Sequence, residues 1–274
     1  YAIIALGYSM VYGIAKMLNF AHGDVIMVGA FVAYFALSSF GLPAIVALIL
    51  SVVACTVLGI VVEKLAYKPL RGASSLSVLI TAIGVSYFLQ NAAMLMWGTD
   101  TKIFPTVLEG SLTIGELSIP YLTLLTILSC IVIMVVLTMF INKTKTGRAM
   151  RACSEDKGAA SLMGINVNQI ISITFAIGSG LAAIAAVLLC ATYPSVYPTL
   201  GSMPGIKAFT AAVLGGIGSI PGAFLGGLLL GVIENLARAY ISTQLSDAIV
   251  FMVLIVILLI KPTGLLGKKV NVKV

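Results

Sequence analysis

The chain has 274 residues, of which 60% are hydrophobic and only 9% are charged. Soluble domains carry about 25% charged residues, so this composition excludes an ordinary soluble domain and indicates a polytopic membrane protein. The formal net charge of +7 is explained by basic loops beside anionic lipid headgroups, and no nucleic-acid partner is expected.

Eight apolar segments are predicted to be membrane helices, because about 20 apolar residues cross roughly 30 Å of hydrocarbon and lipid offers the backbone no hydrogen bonds. In chain order they are 1–18, 25–40, 42–62, 76–98, 119–141, 169–192, 205–233 and 245–260. The predicted fold is an all-α transmembrane bundle of about eight segments, one of them broken or re-entrant, forming a single domain over 1–274. Since Tyr1 lies inside an apolar run, we expect a few residues upstream of it.

The sequence NFAHGD interrupts the apolar pattern after the first segment and contains the single histidine of the chain. Ionisable groups at membrane depth are usually functional or paired. The candidate translocation-pathway residues here are Asn19, His22, Gly23 and Asp24. The alternative is that His22 and Asp24 only cap the following helix at the membrane boundary.

Loop charge predicts the orientation, because Lys and Arg in short loops stay on the cytoplasmic side. The loop from Thr99 to Ser118 carries Asp100, Glu109 and Glu116 against one lysine, so it is predicted to be external. The clusters predicted to be cytoplasmic are Lys64, Lys68 and Arg71; Lys143, Lys145, Arg148, Arg151 and Lys157; and Lys261, Lys268, Lys269 and Lys273.

This orientation makes the segment 205–233 unusual. If the loop 142–168 and the C-terminus are both cytoplasmic, the chain between them crosses an even number of times, and 169–192 and 245–260 already account for two crossings. Gly and Pro at the centre of 205–233 destabilise a continuous helix. We therefore predict a half-helix that enters from outside, a turn at GSIPG (218–222), and a second half that returns.

The predicted break in 205–233 has two open interpretations. Irregular backbone at membrane depth is tolerated where protein or a water-filled cavity satisfies it, and half-helix ends can hold a small charged solute. On that interpretation the pathway residues are Gly215, Gly216, Gly218, Pro221 and Gly222. Alternatively, Gly218, Gly222 and Gly226 simply allow close helix packing. Nearby, Glu234 and Arg238 are four residues apart and are predicted to pair as a structural tie.

A charged island, Asn142–Asn166, separates two long apolar segments. Residues 148–163 are predicted to form one short helix that ends at Gly147 and Gly164. One side would carry Ala149, Met150, Cys153, Ala160 and Met163, and the other Arg148, Arg151 and Glu155. Such a helix would either lie on the lipid headgroups or dock into a partner protein.

No catalytic, metal or cofactor site is predicted. A single histidine cannot build a usual zinc site, and the sequence holds no phosphate-binding loop of the GxxxxGK[ST] type. The four cysteines show no paired spacing. The chain is therefore not expected to be an enzyme or to hydrolyse nucleotide by itself.

The island sequence TGRAMRACSEDKGAASLMGINVNQI is similar to the cytoplasmic coupling loop of ABC importer permeases of the branched-chain amino-acid (LivH/LivM) family. The stretches at 7–24, 68–91 and 205–235 also resemble this family, in particular its LivH-like member, so the resemblance covers nearly the whole chain. The broader importer signature is an EAA box followed by a distant Gly and a Leu-Pro. It is met in part: Glu155, Ala159, Ala160 and Gly164 are present, but no Leu-Pro follows. The coupling residues implied by the resemblance are Gly147, Arg148, Arg151, Glu155, Ala159, Ala160 and Gly164.

The resemblance implies a permease subunit that imports leucine, isoleucine or valine across the bacterial inner membrane. It implies four kinds of partner: a second permease subunit (a LivM-like chain or a homodimer mate), two cytoplasmic ABC ATPases that hydrolyse the ATP, an extracytoplasmic substrate-binding protein, and the lipid bilayer. One alternative is an ABC permease for urea, amides or another small solute. The other is a secondary transporter or channel, for which the candidate membrane charges are Lys16, Asp24, Lys207, Glu234 and Arg238.

Overall fold

The computed structural model describes residues 1–114 and 117–267. Its helices are α1 (Ala2–Ala15), α2 (His22–Ser38), α3 (Ala44–Val62), α4 (Ser75–Trp97), α5 (Tyr121–Lys143), α6 (Lys145–Glu155), α7 (Lys157–Leu162), α8 (Val167–Thr192), α9 (Ser202–Gly215), α10 (Ile220–Tyr240) and α11 (Ser246–Ile260). Helix α3 continues through a π-helical turn, Glu63–Tyr67, and a 3-10 turn, Lys68–Leu70.

The helices confirm the predicted polytopic bundle. Five of them, α3 with its continuation, α4, α5, α8 and α10, are long and apolar enough to cross a membrane, and α1, α2 and α11 are shorter apolar helices. The loop between α4 and α5 contains a non-helical feature that was not predicted from the sequence. There, β1 (Ser111–Ile114) and β2 (Leu117–Pro120) form an antiparallel hairpin.

Helix α8 lies at the centre of the bundle, between α1, α2 and α3. Small residues allow this close packing. A Cβ atom added at Gly59 of α3 would lie 2.1 Å from Oγ of Ser179, and one at Gly29 of α2 would lie 3.2 Å from Cα of Ala183. Helices α4 and α5 instead expose many large apolar side chains, as expected of surfaces that face lipid or another membrane subunit.

The loops predicted to be cytoplasmic lie at one end of the bundle. Arg71 donates a hydrogen bond to Asn168 beyond the island, and Lys157 donates to the carbonyl of Ala15 at 2.7 Å. At the opposite end, the backbones of Lys102 and Val196 exchange two hydrogen bonds of 2.8 Å. The island and the loop 99–118 therefore lie on opposite sides, as predicted. Four residues used in that prediction, Glu116, Lys268, Lys269 and Lys273, lie outside the described residues.

The segment 205–233 is broken, as predicted, but not into two halves. Helix α9 ends at Gly215, residues 216–219 form the reversal that we call the glycine turn, and α10 begins at Ile220. With 1.5 Å of rise per residue, α9 is about 21 Å long and α10 about 31 Å long. Only α9 is a half-helix, and the prediction of a returning half-helix is wrong because α10 continues as a full-length helix to Tyr240.

The glycine turn also lies earlier than predicted. Pro221 and Gly222 are already in the first turn of α10, where proline is tolerated because its missing N–H has no helical acceptor. Ser219 caps this helix by accepting a hydrogen bond from the Gly222 N–H at 3.2 Å. Gly216 and Gly218 adopt φ of +104° and +92°, a region that favours glycine.

Candidate translocation site and coupling surface

The break around NFAHGD places the start of α2 inside the bundle. After α1 ends at Ala15, residues 16–21 turn back, and a Cβ atom added at Gly7 would lie 2.8 Å from Nε2 of His22. Gly7 is eight residues from Ala15, or about 12 Å along the helix. The start of α2 therefore lies beside the middle of α1. The capping alternative is met in part: Asp24 lies in the first turn of α2, where a negative charge is favourable, but the N-cap is Ala21 and there is no side-chain cap hydrogen bond.

The first turn of α9 meets the first turn of α2 at three glycines, Gly23, Gly201 and Gly205, which we call the glycine junction. A Cβ atom added at Gly201 would lie 1.8 Å from the carbonyl oxygen of Gly23, and one at Gly23 would lie 2.4 Å from that of Gly201. Any larger residue would force the two backbones apart.

The two helices that begin at the glycine junction run to opposite ends of the bundle. Helix α2 ends near the external loop, where Nζ of Lys102 lies 6.0 Å from the centre of the Tyr34 ring. Helix α9 ends at the glycine turn, where the Gly218 N–H donates to Oγ of Ser9 at 2.9 Å. The N-terminal ends of two helices, each carrying a partial positive charge, therefore face one point inside the bundle.

Asp24 lies at this point. Its side chain is buried, with the residue 2% exposed, and Oδ1 accepts a hydrogen bond of 2.8 Å from Nε2 of Gln90 on α4. The same Gln90 nitrogen lies 3.3 Å from Oγ of Ser202 on α9. Gln90 thus connects three helices at the glycine junction. Gln90 was not predicted as a site residue, although an amide in an apolar segment is a visible signal.

A small cavity lies on the other side of the α2 start, among Tyr8, Tyr12, Asn19, His22 and Phe209. Its volume is about 10 Å³, room for about one water molecule. The Tyr67 hydroxyl donates to Oδ1 of Asn19 at 2.8 Å. His22 is 1% exposed, and its Nε2 has no hydrogen-bond partner among the described residues. His22, which lines the cavity, thus retains one unsatisfied polar atom.

The structure separates the two groups of predicted pathway residues. Asn19, His22, Gly23 and Asp24 surround the start of α2, whereas Gly215, Gly216, Gly218, Pro221 and Gly222 lie at the far end of α9. The two ends of α9 are about 20 Å apart along the helix.

The far group shows the helix packing that the sequence analysis gave as an alternative. A Cβ atom added at Gly222 would lie 2.4 Å from the Gly215 carbonyl oxygen, and one at Gly226 would lie 2.1 Å from that of Ala211. Gly218 does not take part in this packing, because it is exposed in the glycine turn.

The island forms two helices, α6 and α7, so the prediction of one helix over 148–163 is wrong. Asp156 breaks it by capping α7, with Oδ1 accepting from the N–H groups of Gly158 and Ala159 at 2.7 and 3.0 Å. Gly147 does not end a helix. It lies inside α6, and its added Cβ atom would be 2.4 Å from Cα of Ile141. Gly164 follows the end of α7 with φ of +81°, as predicted.

The two faces of the island largely follow the prediction. Met150, Cys153 and Ala160 are buried and Ala149 is half-buried, but Met163 is wrongly assigned, since it is 82% exposed beside Leu162 at 90%. The predicted coupling residues with exposed side chains or backbone are Arg148, Arg151, Glu155, Ala159 and Gly164. Burial, together with the nearby charges of Arg71 and Lys16, lowers the pKa of Lys157, whose ammonium group attaches the island to α1.

The charged residues of the bundle form two further clusters. The predicted pair of Glu234 and Arg238 is confirmed at 2.5 Å. Lys207 of α9, which the sequence analysis did not place in this pair, bonds Glu234 at 2.8 Å and Asp247 of α11 at 2.5 Å. At the island end, the buried Glu63 pairs with Arg71 and accepts from Ser172 at 2.6 Å.

A helical bundle with broken helices that meet inside it, and with a charged island at one end, is the architecture expected of a membrane transport permease. The family model for the permease component of branched-chain amino acid transport systems matches residues 1–258. The chain belongs to this family, which confirms the function predicted from the sequence: a permease subunit of a branched-chain amino acid transport system.

Named relatives cover nearly the whole chain. The high-affinity branched-chain amino acid transport system permease protein BraD of Pseudomonas aeruginosa is 48% identical over 98% of this chain and 92% of its own length. LivH of Escherichia coli, of the same description, is 43% identical over 98% of this chain and 91% of its own length. The autoinducer 2 import system permease protein LsrD of Salmonella paratyphi B is 26% identical over 93% and 78%. No solved structure matches the chain.

Proposed function

We propose that this chain moves leucine, isoleucine and valine inward across the bacterial inner membrane, along a route that passes the glycine junction. The observation that carries this proposal is the meeting of α2 and α9 at Gly23 and Gly201, inside the bundle. Half-helix ends directed at a point within the membrane are a recurrent way to bind small charged solutes. The names of BraD and LivH support the substrate class.

Separate ATPase subunits drive the transport by docking on the island. This part of the proposal is supported by the exposed charges of Arg148, Arg151 and Glu155 beside the exposed Leu162 and Met163. Buried residues attach the other face of the island to the bundle, so a force on the exposed face reaches the bundle directly. The hydrogen bond from Lys157 to Ala15 then transmits this force to the end of α1, next to the break that precedes α2.

The remaining partners follow from the same assignment. A second permease subunit, either a LivM-like chain or another copy of this one, covers part of the exposed apolar surface. An extracytoplasmic binding protein delivers the amino acid at the hairpin end. The two ABC ATPases hydrolyse the ATP, and this chain itself needs no cofactor.

Reconstitution tests the transport activity. The chain, a LivM-like subunit, both ATPases and the binding protein are placed in lipid vesicles, and uptake of radiolabelled leucine is measured. We expect ATP-dependent uptake that isoleucine and valine inhibit and urea does not. Failure of leucine to accumulate would contradict the proposal, and ATP-dependent uptake of urea or an amide would support the alternative substrate class.

Cysteine labelling tests the orientation. An impermeant thiol reagent added outside intact cells should label Glu109→Cys, in the loop before the hairpin, and should leave Lys145→Cys, in the island, unlabelled until the membrane is opened. Labelling of Lys145→Cys in intact cells would show that the island faces outside, the reverse of the proposed orientation.

A further inference from the structure

Three carboxylates are buried in the described part of the bundle, and they differ in what neutralises them. Glu63 pairs with Arg71, and Glu234 pairs with Lys207 and Arg238. Asp24 forms no ion pair with any described residue, although it is buried as fully as the other two. A buried carboxylate without a cation destabilises a folded protein, so a cation is expected to bind at Asp24 during the protein's function.

The neighbours of Asp24 are polar but neutral. Its carboxylate accepts from Gln90, whose amide nitrogen also lies within 3.3 Å of the hydroxyls of Ser86 and Ser202. These three residues are half-buried, so the polar group extends from the buried Asp24 towards the surface. The N-terminal ends of α2 and α9 offset part of the negative charge, but neither supplies a full cation.

We propose that Asp24 binds the α-ammonium group of the transported amino acid at the glycine junction. An ammonium group supplies the missing cation and up to three hydrogen-bond donors, and charge-assisted hydrogen bonds of this kind are about twice as strong as neutral ones. The inference rests on the proposed function, because it assigns a recognition residue to that same route.

The rest of a zwitterionic amino acid also fits this place. The first turn of α9 has no side-chain cap. Its Ser202 and Gly205 N–H groups donate to Thr199 and Gly201, which leaves the Met203 N–H to donate to a carboxylate group. Met203 and Ile206 are the exposed apolar residues on the same helix, and they offer a surface for an aliphatic side chain. On the far side of the same turn, the unpartnered Nε2 of His22 shows that the start of α2 has a second polar group still to be satisfied.

Asp24→Asn separates recognition from structure. The asparagine has the same shape, keeps an oxygen for Gln90 and remains compatible with a helix start, but it lacks the charge. Glu109→Gln, an exposed substitution in the external loop, removes one negative charge away from the junction and serves as the matched control.

Two analogues of leucine probe the two ends of the zwitterion. Isoamylamine has the ammonium group without the carboxylate, and 4-methylpentanoate has the carboxylate without the ammonium group. Thermal unfolding of the complete assembled transporter is measured against the concentration of each analogue. In Asp24→Asn, we expect the half-saturating concentration of isoamylamine to rise at least about tenfold, with that of 4-methylpentanoate changed less than about twofold. Glu109→Gln should match the unmodified transporter for both.

Two results would overturn the assignment. One is that isoamylamine stabilises Asp24→Asn against thermal unfolding at the same concentrations as it stabilises the unmodified transporter. The other is that isoamylamine does not stabilise the unmodified transporter at all. If Asp24→Asn does not assemble, Asp24→Glu keeps the charge but displaces it, and it should weaken isoamylamine binding selectively. An unchanged response of Asp24→Glu would then count against the assignment. Leucine uptake by the unmodified transporter is measured in the same preparation, since its absence counts against the proposed function rather than against Asp24 alone.

Discussion

Glycine interrupts the helical bundle in two places, and the two interruptions have different surroundings. At the glycine junction, segments far apart in the sequence touch through their backbones, and a Cβ atom on Gly201 would overlap the Gly23 carbonyl at 1.8 Å. At the glycine turn, the chain reverses between consecutive helices. The nearest atom to a Cβ on Gly218 is Cα of Gly13, at 3.5 Å.

Similar sequence signals therefore serve different physical requirements in the two places. The glycine junction requires the absence of side chains, because another backbone occupies their space. The glycine turn requires backbone freedom at φ of +92°, while space is available. Substitutions at the two places should therefore differ in size of effect and in kind.

The largest effect is expected for Gly201→Ala. The added methyl group must push α2 and α9 apart, which should cost about 3 kcal/mol of unfolding free energy and abolish leucine uptake. Unfolding in detergent and uptake in vesicles are the measurements. Gly84→Ala on α4 is the control, because its Cβ atom meets nothing within 4 Å. Normal transport by Gly201→Ala would show that the contact between α2 and α9 is not needed.

The next largest effect is expected in the island, outside both interruptions. It tests whether the island is the docking site of the ATPases. Arg148→Glu with Arg151→Glu should lower ATP-dependent uptake about tenfold, equivalent to ~1.4 kcal/mol of partner binding. Both side chains are exposed, so the unfolding free energy should change by less than about 0.5 kcal/mol.

The control for the island is Lys64→Glu with Lys68→Glu, which reverses two exposed charges at the same end of the bundle. Co-purification of the ATPases with each variant separates docking from folding. Equal loss of uptake in both double variants would show a general effect of charge and not a docking site.

A smaller effect is expected for Gly222→Ala, where α9 packs on α10. Its Cβ atom would lie 2.4 Å from the Gly215 carbonyl oxygen, and overpacking of this kind costs about 1–3 kcal/mol. Uptake should fall with the amount of assembled protein and no further, since the contact lies away from the glycine junction. A loss of uptake at full assembly would bring this end of α9 into the transport route.

The smallest effect is expected for Gly218→Ala in the glycine turn. The added methyl group fits the available space. The substitution should lower the unfolding free energy only by the cost of placing alanine in a left-handed backbone conformation, about 1 kcal/mol. Thermal unfolding should detect it, and uptake should stay within about twofold of the unmodified chain. If Gly218→Ala proved as damaging as Gly201→Ala, the distinction between the two interruptions would fail.

Local sequence signals predicted the breaks but not what meets at them. NFAHGD and the glycine-rich centre of 205–233 interrupt an apolar pattern, and such interruptions are visible in a single sequence. The contact of Gly23 with Gly201 leaves no local trace, because it joins distant segments. The same reason hid Lys207 from the predicted pair of Glu234 and Arg238.

Other features were missed although a local signal existed. Asp156 has the residue type of a helix N-cap, and it divides the island where one helix was predicted. The hairpin in the external loop is short, and its strands lie outside the long apolar segments from which the fold was predicted. Gln90 and Ser202 could be noticed as polar residues, but only tertiary structure brings them to Asp24.

The ion pairs of Lys207 have a mechanical consequence. They fasten α9 to α10 through Glu234 and to α11 through Asp247, and Glu234 and Lys207 are both shielded from water. Separating these charges would expose them to a nonpolar interior, at a cost of several kcal/mol. Movement of α9 is therefore expected to take α10 with it. The pair meets the rest of the protein at α1 and at the glycine contact with α2.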